Sequence, residues 1–437
     1  MDNTAVVIGA GIAGLAAARV LSTRYSSVTV LDRDSLPERA VPRRGVPQSG
    51  HAHILLISGL NELNELFPGF EAELLAGGGA TFDTGTGLAW FRSGRRSRPV
   101  PTGMALVSVS RPGLETAVRN RVAELREVTI RDEVAVSGLT GSGDAVTGVV
   151  LDNGETIAAD LVVDCTGRGS RSDRWLAALG FPAPAQVEIK VGMTFSTRYF
   201  RRRPGDLPDW QAALIQPEPP HQKMYGVALP VEDDRWVIEL GGWRSTDPPE
   251  DGEQFARAVK DLPDPMISEL VSRAEPVSDV TIARFPSNRR RLFEKLGRLP
   301  AGYVALGDAL CSFNPVYGQG MTCALQEAAT LGRVLDSHHA RTDAAMARAF
   351  YAAVAKVIQT PWQFAVGNDF NYPETTGPRP AGIKITNWYA GRVMRAAQVD
   401  AEVNRTFVAV QQLLTPPSAF FRPGFVARVL SRGGRPR

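Results

Sequence analysis

Cysteine is scarce in this chain of 437 residues, which contains three. Cys165, Cys311 and Cys323 are scattered, and an odd, dispersed set predicts neither a disulfide framework nor a zinc-binding spacing. His51 and His53 stand two residues apart, with no third metal-binding side chain nearby in the sequence. We therefore expect no metal site, and the cysteine pattern favours a reducing, cytoplasmic compartment.

The sequence also has no long apolar run and little net charge. No stretch of about 18 apolar residues occurs, so no membrane-spanning helix is expected. The apolar segment Ala5–Leu21 is interrupted by glycines and has neither a basic start nor a cleavage site, so it does not resemble a signal peptide. The formal net charge of +3 gives no reason to expect a nucleic-acid partner.

A glycine-rich loop near the N-terminus indicates a dinucleotide site. It follows the strand-like run Ala5–Ile8 and opens a helix-like run, and a second strand-like run ends at Asp32. The glycines of this G-x-G-x-x-G pattern are Gly9, Gly11 and Gly14. The pattern predicts a tight turn, a close approach of a pyrophosphate to the backbone, and a ribose held by Asp32. It does not distinguish NAD from FAD.

Three arginines near this loop are candidates for contacts to the same cofactor. Arg33 follows the acid at the strand end, and Arg44 lies in the basic segment Arg43–Gln48. Arg111 stands at the start of a helix that Ser110 is expected to cap. A solvent-exposed arginine without a ligand is the alternative interpretation for Arg44 and Arg111.

Two further strand ends carry an acid and a glycine. One apolar run ends at Asp164 and leads through Gly167 to a helix, and another leads to Gly307 and Asp308. Each pattern also fits a plain strand-to-helix turn. As a cofactor element, Asp308 would accept hydrogen bonds from ribityl hydroxyls.

The loop after Asp308 fits a flat ring. It leads into a helix-like run whose start would present free N–H groups and a partial positive charge to an anionic reduced flavin. Glycine at two positions allows the backbone to approach the ring closely. The residues expected to form this ring site are Pro315, Gly318, Gly320 and Met321.

Together the three motifs resemble those of single-component, FAD-dependent class A monooxygenases, the para-hydroxybenzoate hydroxylase type. The resemblance covers roughly residues 1 to 340. The sequences of three segments look most like those of the polyether-antibiotic epoxidases, such as the lasalocid epoxidase. These segments are Arg44–Gln48, His51–His53 and Cys311–Met321. One departure is that Thr166–Gly167 replaces the family's aspartate–glycine pair, which leaves the contact made by Asp164 open.

The resemblance implies an α/β fold in three parts. A Rossmann-like FAD-binding domain of the glutathione-reductase type, with a mixed parallel sheet, would be joined by an antiparallel-sheet substrate domain and C-terminal helices. One helical run is expected to begin at His51, and another is expected to break at Pro361. The expected ranges are 1–80, 104–185 and 286–342 for the FAD-binding domain, 81–103 and 186–285 for the substrate domain, and 343–437 for the helical region.

The resemblance also implies a mechanism in which the cofactor carries the chemistry. NADPH or NADH would reduce FAD, and O2 would then deliver one oxygen atom through a flavin C4a-hydroperoxide. The substrate would be an apolar natural product, a polyketide or terpenoid that is epoxidised or hydroxylated, for example in antibiotic biosynthesis. No protein side chain is expected as a catalyst, and the enzyme would be a monomer or homodimer. The alternative is a flavin-dependent reductase or dehydrogenase of a lipid-like substrate without oxygen transfer.

Overall fold

A parallel sheet brings the three motifs to one edge. The computed structural model describes residues 3–244 and 247–434. In spatial order the strands of this sheet are β17 (Tyr303–Ala305), β11 (Leu161–Asp164), β1 (Thr4–Ile8), β2 (Ser27–Leu31) and β7 (Val128–Arg131). All four pairings are parallel, and the apolar residues of β1 and β11 are buried. Because β17, β11 and β1 are neighbours, their carboxyl ends and the motifs that follow lie side by side.

Helices and small sheets surround this parallel sheet. The helix that follows the glycine loop contacts the helix after Ser110 and the helix after Asp308. A hairpin turn at Asp152–Gly154 lies within a three-stranded meander. The helices are α1 (Ile12–Leu21), α2 (Ile57–Leu66), α3 (Phe70–Ala76), α4 (Arg111–Ala123), α5 (Ser172–Ala178), α6 (Gly252–Ala258), α7 (Met266–Arg273) and α8 (Gly320–Ser337). The small sheets are β3 (Ala80–Asp83) with β6 (Ala105–Ser108), and β8 (Val136–Ser142) with β9 (Ala145–Leu151) and β10 (Thr156–Ala158).

A larger sheet of eight strands forms the second layer. In spatial order its strands are β18 (Cys311–Ser312), β16 (Thr281–Arg291), β12 (Gln186–Arg201), β15 (Arg235–Trp243), β14 (Met224–Val231), β13 (Ala212–Ile215), β4 (Leu88–Arg92) and β5 (Arg95–Arg96). Strand β4 pairs in parallel with β13, so residues 88–92 belong to this sheet rather than to the parallel sheet of the glycine loop. Strand β16 continues past residue 285, and β18 follows Asp308 directly, so this sheet is continuous with the cofactor loop. The domain boundaries themselves stay a prediction.

The two faces of the large sheet bury different partners. Side chains alternate along β14 and β15, so Tyr225 and Val237 lie on one face while Ala228 and Ile238 lie on the other. The second face packs against α6 and α7. The first face packs against the C-terminal helices, α9 (Ala344–Asp369), α10 (Ile383–Ala397), α11 (Ala401–Gln411) and α12 (Pro423–Arg432). The last three residues of the predicted helical region lie outside the described residues.

Two predicted helix boundaries are wrong. Helix α9 continues through Pro361, whose ring is buried, and packing on both sides of it offsets the missing hydrogen bond of the proline. Helix α2 begins at Ile57 rather than at His51, because Gln412 of the C-terminal region accepts hydrogen bonds from its first N–H groups. The predicted Ser110 cap of α4 is confirmed, since the side chain accepts from the Gly113 N–H at 3.0 Å. Within residues 3–244 and 247–434, no helix has the length and apolar character needed to cross a membrane.

The carboxyl of Glu327, on α8, supports the strand end that carries Gly307. Its Oε2 accepts a hydrogen bond from the Gly307 N–H at 2.6 Å, and Oε1 contacts Cys323 Sγ at 3.3 Å. Burial raises the pKa of Glu327 to about 8. The side chain is therefore mostly protonated at neutral pH, which allows it to stay in an apolar environment without a counter-ion.

Replacing Glu327 by Gln should stabilise the protein at alkaline pH. The unfolded chain loses this proton near pH 4.5 and the folded chain near pH 8, so the stability contributed by the neutral form is lost as pH rises through about 8. Glutamine keeps the shape and stays neutral. We expect the Tm of Glu327→Gln, measured by scanning calorimetry, to exceed that of the parent by a few degrees at pH 9 and to match it near pH 5. The exposed Glu124→Gln variant is the control, and equal shifts at both pH values would contradict the assignment.

Candidate functional site

The glycine loop between β1 and α1 is shaped both for the fold and for a ligand. A Cβ at Gly14 would lie 1.8 Å from the carbonyl oxygen of Gly9, so the contact between loop and helix requires glycine there. A Cβ at Gly11 would meet no atom within 4 Å, so this side of the loop faces open space. No side chain caps α1. Its first N–H groups are therefore free to bind an anion.

The acid at the end of β2 is held by the loop and by one arginine. Asp32 is buried, and its Oδ2 accepts a hydrogen bond from the Ala10 N–H at 2.7 Å. Arg43 reaches Asp32 at 3.2 Å and also pairs with Asp34 at 3.0 Å and Glu115 at 2.6 Å. The carboxylate is thus oriented at the edge of the site, and a ribose hydroxyl would add to contacts that already exist.

The predicted arginines differ in their surroundings. Arg33 and Arg44 are exposed, whereas Arg43, at the start of the same basic segment, is the one that joins the acids. Arg111 is buried at the start of α4 and pairs with Glu115 at 2.9 Å. Burial lowers the pKa of Arg111, and Glu115 opposes this shift.

One nitrogen of Arg111 marks a place for an acceptor. Its Nη1 is buried without a hydrogen-bond partner among the described residues. A buried donor without a partner costs free energy, and an anionic or hydroxyl-bearing ligand would remove that cost. Arg111 is therefore the arginine whose surroundings best fit the predicted role.

Asp164 is turned away from the open part of the site. Its Oδ1 accepts from the Thr166 N–H at 2.9 Å and hydroxyl at 2.6 Å, and its Oδ2 accepts from Ser170 at 2.6 Å and Tyr303 at 3.1 Å. The side chain is fully buried, so these four bonds use its acceptor capacity. Asp164 therefore holds the turn that presents Gly167, as the plain strand-to-helix alternative expects, and a contact between Asp164 and a cofactor stays a prediction.

Asp308 lies at the same edge without a hydrogen bond to any described residue. A Cβ at Gly320 would have the Asp308 Oδ1 as its nearest neighbour, at 3.9 Å, so the carboxylate stands near the start of α8. Burial raises the pKa of Asp308 to about 6, although nearby arginines, above all Arg168, oppose the shift. The side chain is therefore mostly ionised at neutral pH and available to donors from a ligand.

The start of α8 presents further polar groups without partners. Gln319 Oε1 and Thr322 Oγ1 are both buried and have no hydrogen-bond partner among the described residues. No side chain caps the helix, and Gly318 has a positive φ of 66° that turns the chain into it. Pro315 is exposed, while Gly320 and Met321 are half-buried in the first turn. This helix start can accept the polar edge of a ring that carries both donors and acceptors.

A buried carboxylate fixes the loop that precedes α8. Oδ1 of Asp369 accepts from Asn314 at 2.9 Å, from Tyr317 at 2.8 Å and from Trp243 at 3.4 Å. Its Oδ2 accepts from Asn288 at 2.7 Å. Burial raises the pKa of this carboxyl, and the four donors oppose the shift. Asp369 was not among the predicted site residues, because its only local signal in the sequence is an acid that ends an apolar helix.

A histidine-containing network joins the large sheet to the segment before α2. His51 Nδ1 lies 2.8 Å from Thr197 Oγ1 and 3.3 Å from Glu239 Oε2. Glu239 also accepts from Thr197 at 2.8 Å and from the hydroxyl of Tyr225. All four side chains are buried. Because a Cβ at Gly318 would lie 3.3 Å from Ile54, this segment also borders the ring loop.

The contacts fit an extended cofactor better than a metal ion. No group of three His, Cys, Asp or Glu side chains that could hold a metal occurs in residues 3–244 and 247–434. A phosphate fits the start of α1, hydroxyl groups fit Asp32 and Asp308, and a polar ring edge fits the unpartnered groups at α8. FAD contains all of these groups, with the diphosphate between the ribose and the ribityl chain and the ring at the end, so the residues present fit it.

Comparison with known proteins agrees with this geometry. The family model described as an FAD binding domain matches residues 2–345. Protein Rv3254 of Mycobacterium tuberculosis is 33% identical over 430 residues, which is 94% of this chain and 89% of that protein. The FAD-dependent monooxygenase dmxR9 of Cryptosporiopsis sp. is 28% identical over 218 residues, 47% of this chain and 41% of that protein.

A solved structure extends the likeness to the fold. The crystal structure of PqsL from P. aeruginosa in complex with 2-aminobenzoylacetate superposes with a TM-score of 0.66 at 18% identity, covering 85% of this chain and 97% of PqsL. The predicted fold class, an α/β FAD-binding domain with a second sheet and additional helices, is confirmed. The chain therefore belongs to the family defined by this FAD binding domain.

Proposed function

We propose that this protein is an FAD-dependent monooxygenase that uses NADPH or NADH and O2 to epoxidise or hydroxylate an apolar natural product such as a polyketide or terpenoid. The observation that carries the proposal is the set of unpartnered polar groups along one edge of the parallel sheet. Arg111 Nη1 and Gln319 Oε1 are buried without partners among the described residues. Bound FAD would supply the electron transfer and the activation of O2.

An apolar substrate is favoured by the face of the large sheet that meets the ring loop. Met193, Phe195 and Trp243 lie on this face, and the C-terminal helices cover it. Residues that cover a site in this way exclude water, which protects reactive oxygen species from wasteful release. The His51 network supplies the polar groups that could orient an oxygen-bearing substituent of the substrate.

The remaining side chains would act by binding and positioning. Burial raises the pKa of each cysteine thiol well above its usual value, so Cys165, Cys311 and Cys323 are not thiolates at neutral pH. Asp369 would hold the ring loop, and the start of α8 would stabilise negative charge that develops on the ring. Arg111 and the start of α1 would bind the phosphates.

The proposed function is tested by measuring both the reduction of the flavin and the transfer of oxygen to a substrate. We expect the purified protein to show a flavin absorption band that NADPH or NADH bleaches in the absence of air, faster when a substrate is present. Under ¹⁸O2, a panel of apolar alkenes and aromatics should yield at least one product that carries a single ¹⁸O atom, as measured by mass spectrometry. Substrate conversion without the label would instead indicate a reductase or dehydrogenase.

A second test separates cofactor binding from folding within one loop. Gly11→Val should fold normally, because a Cβ there meets no atom within 4 Å. It should nevertheless raise the Kd for FAD about tenfold or more, because the side chain would occupy the space of the pyrophosphate.

The matched control is Gly14→Ala, which should lose stability because its Cβ would lie 1.8 Å from the Gly9 carbonyl oxygen. Flavin fluorescence titration measures the affinity, and thermal unfolding of the apoprotein measures the stability. Unchanged FAD affinity in Gly11→Val would refute the phosphate site.

A third test concerns Asp308. Asp308→Ala and Asp308→Asn should be purified with about one-tenth or less of the flavin of the parent, because the hydroxyl-binding carboxylate is absent. The folded-state pKa of about 6 exceeds the usual 3.8, so the stability that the neutral form contributes is lost as pH rises through about 6. The Asp308→Asn apoprotein should therefore melt higher than the parent apoprotein at pH 8 and equally near pH 4. Full flavin occupancy in both variants would remove Asp308 from the site.

A further inference from the structure

The C-terminal helices carry an exposed apolar patch. Ile385 is 73% exposed, Trp388 55%, Phe421 66% and Leu430 47%. Scattered exposed apolar side chains are ordinary, but these four come from α10, α12 and the short segment before α12. Large exposed apolar side chains that cluster indicate an interaction surface.

Contacts between the helices show that the patch is continuous. Ile385 and Trp388 lie one turn apart on α10. Tyr389, which follows Trp388, stacks on Phe421 with ring centroids 5.6 Å apart. The guanidinium of Arg392 lies 5.4 Å from the Trp388 ring and donates to the carbonyl of Leu430 at 2.9 Å. The four apolar side chains therefore belong to one surface, which we call the outer patch.

The outer patch is surrounded by positive charge. Residues 377–434 contain eight Lys and Arg but two Asp and Glu, an excess larger than the net charge of the whole chain. Both acids, Asp400 and Glu402, pair with Arg428. The exposed cations next to the apolar residues are Lys384, Arg422 and Arg432, and none of them forms an ion pair with a described residue.

We propose that the outer patch binds the surface of a membrane that contains anionic lipids. Exposed aromatic and aliphatic side chains among arginines and lysines are typical of segments that lie in the headgroup region. A second copy of the chain is a poorer occupant, since a symmetric dimer through this patch would place one basic surface against another.

The binding test uses the purified full-length holoprotein and sedimentation with vesicles. Vesicles of phosphatidylcholine with about 30% phosphatidylglycerol, an anionic lipid that gives the vesicle a negative surface potential, are compared with vesicles of pure phosphatidylcholine. We expect binding to the anionic vesicles that weakens as NaCl rises from about 50 to 300 mM, because salt screens the charges. The triple variant Ile385→Ser/Trp388→Ser/Phe421→Ser and the charge variant Lys384→Glu/Arg422→Glu should each bind about tenfold less or weaker still.

The control variant is Val277→Ser, which replaces an exposed apolar residue outside the outer patch and should bind like the parent. Flavin content and Tm confirm that each variant is folded, and the charge variant changes only exposed side chains. Absence of vesicle binding at low salt, or equal binding to both kinds of vesicle, would overturn the proposal. The proposal would also be overturned if light scattering showed the parent to be a dimer that binds no vesicles, and the triple variant to be a monomer. None of these measurements depends on turnover.

Discussion

The buried carboxylate of Asp369 is the contact on which the arrangement of the site depends. It comes from the last turn of α9, yet its partners belong to the large sheet and to the loop before α8. A buried charge is tolerated only when hydrogen bonds replace its hydration, so the four donors cannot be separated without exposing that charge to an apolar environment. Asn288 strengthens the junction, because its side chain also accepts from the Asn314 N–H at 2.5 Å. The cofactor loop, the second sheet and the C-terminal helices are thereby fixed relative to one another.

At the edge of the parallel sheet, in contrast, buried polar groups lack hydrogen-bond partners in the part of the chain that the structure describes. Arg111 and Gln319 are buried with atoms that have no partner among the described residues, and Asp308 is ionised in a place where burial disfavours its charge. Each such group lowers the stability of the chain by itself. A ligand that pairs with them recovers that free energy, so cofactor binding and stability are coupled by mass action. Elsewhere in this region, as at Asp32 and Asp164, polar groups are already paired within the protein.

The sequence predicts best what is local. A strand, a glycine loop and a helix start are specified by adjacent residues, so the three motifs and the Ser110 cap could be predicted directly. Contacts between segments that are distant in the sequence could not be predicted. Nothing near Arg43 or Arg44 says which one reaches the acids, because the acids lie on β2 and α4. The start of α2 depends on Gln412, more than 350 residues away in the sequence. The role of Asp164 depends partly on Tyr303, which comes from a neighbouring strand.

The C-terminal helices have apolar residues on both sides: one side is buried against the large sheet and the other is exposed. On α10, Val393 and Ala396 are buried in the core that includes the large sheet, whereas Ile385 and Trp388 face outward. An α-helix with its side chains is only about 10–12 Å thick. A surface that binds lipid headgroups would therefore lie about one helix diameter from the apolar face proposed to hold the substrate. An apolar substrate partitions into bilayers for the same reason that it would bind this face, the removal of its surface from water. If both proposals hold, delivery from the membrane would require a short path past α10 rather than diffusion through solvent.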